Sequence, residues 1–171
     1  MTTRRAKIYF LLFALTSCSN KDQKEKAEKY FDLVQTSIEP WVTSGNNMVK
    51  ETMPIMRRFY NNGRKLNTKD SLEILTAFNG FNKISEETIK RFNNLETFEE
   101  YDLKKPTLEC IERNTKLIQE TFNEVLYHSY SKKRTPEQMD KMKDDFQKEF
   151  IEITEYYFQT QNEFKRKFGI E

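Results

Sequence analysis

Histidine is almost missing from this chain: His128 is the only one in 171 residues. That excludes catalytic triads built on histidine and histidine-rich metal sites. It also excludes a di-iron bundle centre, which needs a glutamate and a histidine at i,i+3 on each of two helices. A haem held by two histidines is excluded in the same way. A Met/His haem stays open by residue count, but no motif favours it, so no cofactor and no metal are expected. His128 lies in Leu126-Tyr127-His128-Ser129-Tyr130, near the end of a helical segment, and is expected to interact with that helix terminus.

Cysteine is nearly as scarce, with Cys18 and Cys110 only. Four glycines and four prolines leave few turn points, which favours long, rarely interrupted helices. There is no glycine-rich phosphate loop, no Cys-x-x-Cys pair and no zinc-protease signature. No segment alternates apolar and polar residues with the period of two that marks a strand.

The N-terminus carries the clearest motif. Arg4, Arg5 and Lys7 are followed by an unbroken apolar run over residues 8–15, then by Thr16, Ser17 and Cys18. This is the order of a secretory signal: charged, apolar, small. The apolar run is well short of the roughly 20 residues a spanning helix needs. Leu15-Thr16-Ser17-Cys18 resembles the lipobox of bacterial lipoproteins. The resemblance covers about the first 20 residues. It implies a diacylglyceryl group on the thiol of Cys18, cleavage between Ser17 and Cys18, and acylation of the new amino group. An ordinary signal peptide with an incidental cysteine is the alternative. Two or three acyl chains would suffice for stable membrane anchoring. By resemblance to enterobacterial sorting patterns, Ser19 after the cysteine implies the outer membrane if the cell has one.

Removing Arg4, Arg5 and Lys7 with residues 1–17 takes the formal charge from +2 to −1. Nucleic-acid binding then loses the basic excess that phosphate neutralisation requires. Of the two cysteines only Cys110 is left free, so no internal disulfide is available and packing must supply the stability. Residues 18–29 are expected to be a charged tether or the solvated start of a helix, and residues 30–171 a single domain.

Within that domain four segments space apolar residues three and four apart. The first runs through Phe31, Val34, Ile38, Trp41, Gly45, Met48, Thr52, Ile55 and Phe59, in phase across Pro40 and Pro54. One long helix kinked at the prolines is preferred to two helices broken at residues 44–47. The second starts near Thr68 and reads Leu72, Leu75, Phe78, Phe81, Ile84, Ile89, Phe92 and Leu95, with Asn79-Gly80 as a plausible break. The third starts at Pro106 and reads Leu108, Ile111, Thr115, Ile118, Phe122 and Val125. The fourth opens on Thr135-Pro136-Glu137-Gln138, a capping box with proline at the first helical position. Its seam is Met139, Met142, Phe146, Ile153, Tyr157, Phe164 and Phe168, with Phe150 and Ile151 beside it, and Gly169 ends it. The expected architecture is all-α: an antiparallel four-helix up-down bundle with long, partly kinked helices.

Candidate functional residues are few. Cys110 is expected to be a packed thiol. Its one conceivable base, His128, lies roughly 27 Å away along a continuous helix. The acidic pairs Glu86-Glu87, Glu99-Glu100 and Asp144-Asp145 are expected on solvated faces. Tyr156-Tyr157-Phe158 covers more of a helix than one core stripe does, so at least one of the three should face outward or into a groove. With Trp41 they form the candidate partner surface. The expected function is non-enzymatic: a lipid-anchored envelope bundle that binds another protein, as an assembly or secretion accessory or as an immunity or inhibitor protein. The alternative is a carrier of a small apolar ligand in an aromatic-lined cavity between helices. A pocket of hundreds of Å³ would favour the carrier, and a solid core with an exposed aromatic patch the partner-binding protein.

Overall fold

The computed structural model describes the backbone of residues 3–62, 66–98, 101–131 and 135–170, and side chains over 21–58, 66–98, 101–126, 135 and 137–170. These form four helices: α1 Thr3–Asn62, α2 Thr68–Asn93, α3 Lys104–Ser131 and α4 Pro136–Phe168. No strand occurs among the described residues. The molecule is an all-α four-helix bundle.

α1 passes through Pro40 and Pro54 as one helix of 60 residues. An interior proline removes one backbone hydrogen bond and costs about 3 kcal/mol. Packing on both sides of each proline offsets that cost, with Val34 and Ile38 buried before Pro40, and Met48 and Ile55 flanking Pro54. Residues 21–29 are helical. Ion pairs along this stretch, such as Lys26–Asp22 at 3.0 Å and Lys29–Glu25 at 2.8 Å, join side chains four apart. Ala27 is already fully buried, so the core begins three residues before the expected boundary.

α2 corrects two expectations. Asn79-Gly80 does not break it: both residues are exposed, away from the packed face, and the helix runs on. Its seam is Ser71, Ile74, Phe78, Phe81, Ser85, Thr88 and Phe92, spaced strictly three and four apart. Leu72 and Leu75, expected inside, are 64% and 40% exposed. Three seam positions are occupied by hydroxyl residues, so reading only apolar residues shifts the start of the stripe by one position. Asn67 caps the helix, its Oδ1 accepting from the Asp70 amide at 2.8 Å.

α3 starts at Lys104, two residues before Pro106, because the Asp102 carboxylate accepts from the Lys104 amide at 3.0 Å and begins the turn early. α4 starts as expected. Thr135 and Gln138 exchange the reciprocal capping-box bonds, and Gly169 closes the helix in the left-handed region at φ 64°.

Side-chain contacts tie each helix to the next in the chain. Arg58 meets Asp70 at 3.3 Å, while Tyr30 stacks on Phe98 with centroids 5.0 Å apart. Phe78 stacks on Phe122 at 4.1 Å, and Tyr101 donates to Glu163 at 2.9 Å. One core cluster gathers Tyr30, Val34, Phe92, Ile111, Tyr157 and Phe164 with others, and a smaller one joins Met48, Phe78 and Phe81. Trp41 packs against both clusters. Among the described residues no helix is long and apolar enough to cross a membrane.

Candidate functional site: an apolar groove between three helices

Of the helices in contact, α1 and α4 pack together least. At the middle of α1 the two meet through aromatic residues: Tyr30 and Phe31 reach Phe164 at centroid distances of 6.0 and 6.3 Å. Further along, α1 presents Val42, Gly45 and Val49 towards Phe150, Thr154 and Phe158 of α4. Short side chains and a glycine do not fill the space between the helices. The result is a half-open cavity of about 270 Å³. Phe81 of α2 and Cys110, Asn114 and Ile118 of α3 complete its wall.

The rim is largely apolar and wet: Val42, Val49, Phe150 and Phe158 are 44%, 46%, 37% and 55% exposed, and Asn46 is its exposed polar member. Below the rim the wall is neutral, and no charged side chain lines it. The Trp41 indole donates to Thr115 Oγ1 at 3.1 Å, which turns its one polar atom away from the cavity. Thr154 is likewise engaged, with its hydroxyl donating to the Phe150 carbonyl at 2.7 Å. The Tyr157 hydroxyl accepts from Gln35 Nε2 at 3.5 Å, and burial raises its pKa.

Cys110 and Asn114 sit one turn apart on α3. The Asn114 amide donates to Cys110 Sγ at 3.5 Å. Burial pushes the Cys110 thiol up to about 11, so it is protonated at neutral pH and is no nucleophile there. Asn114 is 1% exposed, and its Oδ1 is buried with no hydrogen-bond partner. Chemically the groove offers apolar contact, a ring of aromatic faces and the exposed Asn46 amide at its edge, with the Asn114 amide buried in its wall.

The candidate surface read from the sequence divides here. Trp41, Tyr157 and Phe158 line the same groove, while Tyr156, 45% exposed, lies outside it. The helix turns about 100° per residue, so three consecutive aromatics cannot share one opening. Cys110 is buried, as expected, and it also forms part of the groove wall. Sequence reasoning missed Asn114. The signal was present as a second stripe on α3, Thr107, Cys110, Asn114 and Leu117, preceded by Leu103 just before the helix, again spaced three and four apart and all buried. Val42 and Val49 also escaped notice, because they flank the α1 seam and do not lie in it.

Ser17, Cys18 and His128 fall outside the described side chains, and so does the Glu99-Glu100 pair. Glu86-Glu87 and Asp144-Asp145 are exposed. Among the described residues no group of three His, Cys, Asp or Glu side chains is placed to hold a metal ion. No protein-family model matches the chain, and comparison with curated proteins and with solved structures returned no match.

Proposed function

We propose that this chain is a lipid-anchored protein of the cell envelope, held through Cys18, whose bundle carries a small apolar molecule in the groove between α1, α3 and α4. One observation carries the reading: an apolar cavity of about 270 Å³, open on one side and free of charged side chains. Engineered apolar cavities of about 150 Å³ bind benzene, so this one has room for a molecule of one or two rings. The function is binding, not catalysis.

The anchor half of the proposal rests on the order of charge, apolar run and lipobox in residues 1–18. The part of α1 left after cleavage, residues 18–62, links the two halves as a single helix. Cys18 and Val42 are then about 36 Å apart along one axis, so the groove stands at a set height above the lipid. In a cell with two membranes, Ser19 argues for the outer one.

A second reading keeps the same anchor and gives the groove to another envelope protein, in an assembly, secretion, immunity or inhibitor role. The exposed rim of Val42, Val49, Phe150 and Phe158 favours it, because apolar side chains flanking a groove on two helices are what a docking partner covers.

Two measurements test the proposal. Intact mass of the membrane fraction should show a chain beginning at Cys18 and carrying acyl groups. A chain retaining Met1, or one processed without acyl chains, removes the anchor. Crosslinking and gentle isolation from membranes should then recover a small molecule with the bundle. Recovery of one stoichiometric protein and no small molecule would transfer the groove to the second reading.

A further inference from the structure

The stretch of α1 between its two prolines is held differently from the helix before it. Over residues 27–38 the helix buries Ala27, Tyr30, Val34, Ser37 and Ile38. Between Ile38 and Ile55 it buries only Met48, which packs with Phe78 and Phe81 of α2. Pro40 and Pro54 have no N–H, so the Thr36 and Lys50 carbonyls lose the donor four residues on. Thr52 Oγ1 donates to the Met48 carbonyl at 2.8 Å, a back-bond that competes with the helix ladder. In the middle lies Ser44-Gly45-Asn46-Asn47, a run of weak helix formers. Packing does not require the glycine: a methyl at 45 would meet the Phe81 ring at 3.5 Å, an ordinary contact. Few buried contacts and a weakened hydrogen-bond ladder mark a segment that opens before the rest of a fold.

The same stretch is one wall of the groove. Val42, Gly45, Asn46, Met48 and Val49 line it, opposite Phe150 and Phe158 of α4. We propose that residues 42–53 are a gate. They open as a local unit, with Pro40 and Pro54 as hinges and Met48 as the latch, and this opening sets the rate at which a ligand enters and leaves. This deepens the carrier reading and rests on it. Trp41 is fastened to Thr115 of α3 through its indole N–H at 3.1 Å, and Ile55 is buried, so the ends of the stretch stay in place. Only Met48 has to leave a packed site, and its unbranched thioether chain adapts more readily than a branched or aromatic one. The open fraction therefore follows the helix propensity of the stretch, while the closed groove is unchanged.

Asn47 allows a direct test, because its side chain is exposed and is not part of the groove wall. Alanine and glycine there differ in helix propensity by the equivalent of about a fivefold change in the opening equilibrium. The full chain is placed in vesicles of neutral phosphatidylcholine, and amide hydrogen exchange is followed by mass spectrometry. In the wild type, residues 42–53 should exchange faster than residues 27–38 of the same helix by about tenfold or more. Exchange of 42–53 should be about fivefold slower in Asn47→Ala than in Asn47→Gly, with 27–38 alike in both. Trp41 is the only tryptophan and lines the groove, so its quenching by N-phenylnaphthylamine in stopped flow reads ligand entry. Association and dissociation should each be about fivefold slower in the alanine variant than in the glycine variant, at equal affinity. Equal exchange of the two stretches in the wild type overturns the gate. So does a dye that binds both variants at equal rates, and the carrier reading survives either result. A dye that leaves wild-type Trp41 unquenched removes the carrier reading, and the gate with it.

Discussion

The hydroxyl of Tyr30, in α1, donates to the carboxylate of Asp102, 72 residues away in the connector between α2 and α3. The same carboxylate accepts from the Lys104 amide at 3.0 Å, so one side chain starts α3 and fastens it to α1. The Tyr30 ring meanwhile stacks on Phe98 with centroids 5.0 Å apart. Tyr30→Phe removes only the hydroxyl and should cost about 1 kcal/mol in urea unfolding. Asp102→Ala loses the helix start as well and should cost about 2 kcal/mol. Equal, negligible effects from both would show that the connector is not fastened this way.

Ile74 and Leu72 lie two residues apart on α2 with opposite surroundings: the first fully buried, the second 64% exposed. Ile74→Ala should cost about 2–5 kcal/mol, the usual range for emptying a packed site. Leu72→Ser should change stability by less than about 0.5 kcal/mol. A chemical-denaturation midpoint for each variant checks the stripe, and a reversed order would restore the seam read from apolar residues alone.

Ser71 occupies the first position of that stripe with a buried hydroxyl that has no partner. Ser71→Ala should therefore raise stability, by about 1 kcal/mol, because it removes a desolvated group and no bond. Ser85→Ala makes the comparison. Its hydroxyl donates to the Phe81 carbonyl at 2.9 Å, so it should show no such gain. The thermal midpoints of the two variants are to be measured side by side.

Alkaline pH should unfold the bundle in a defined window. The folded Cys110 thiol is pushed up to about 11 by burial, against about 8.5 for an unfolded cysteine. The folded state holds the proton more tightly. The stability it contributes is therefore complete below about pH 8.5 and is lost as pH rises through about 11, by up to about 1.4 kcal/mol per pH unit. Burial raises Tyr30 and Tyr157 in the same direction, so their contribution drains away above about pH 10, the ordinary tyrosine value. Urea midpoints taken between pH 8 and pH 10 should fall for the wild type and stay nearly level for Cys110→Ala. Parallel curves would show that the thiol titrates alike in both states.

Phe158 and Tyr156 are both exposed, but only Phe158 borders the groove. An environment-sensitive apolar dye such as N-phenylnaphthylamine should bind Phe158→Ser several-fold more weakly than the wild type, and Tyr156→Ser as the wild type does. Fluorescence titration reads the difference. Equal losses would mean that the dye reports a diffuse surface and not the groove.

Much of the architecture was legible because it is written in local signals. Thr135, Pro136 and Gln138 specify the start of α4 within four residues, and Gly169 its end. The α1 seam stays in phase across two prolines, and the helix continues through both. The errors came where a polar residue fills a packed position. Ser71, Ser85 and Thr88 complete the α2 stripe, and Asn114 the second stripe of α3, while two leucines face water. Burial belongs to a position in the bundle, and composition predicts it only on average. The groove was partly legible. Consecutive aromatics at 156–158 exceed one stripe, but their number alone does not say which of them faces the opening.

The amino-acid sequence alone determined the helical class, the number of helices, most of their ends and the N-terminal motif, because each depends on residues a few positions apart. The tertiary structure alone decided that α1 and α4 stand far enough apart to leave a cavity, that Trp41, Tyr157 and Phe158 share it, and that Asn114 lies in its wall with an unpaired carbonyl. Those facts depend on the distance between helices distant in the chain. That distance is settled by the side-chain volumes of all four helices packing at once, which no single segment encodes.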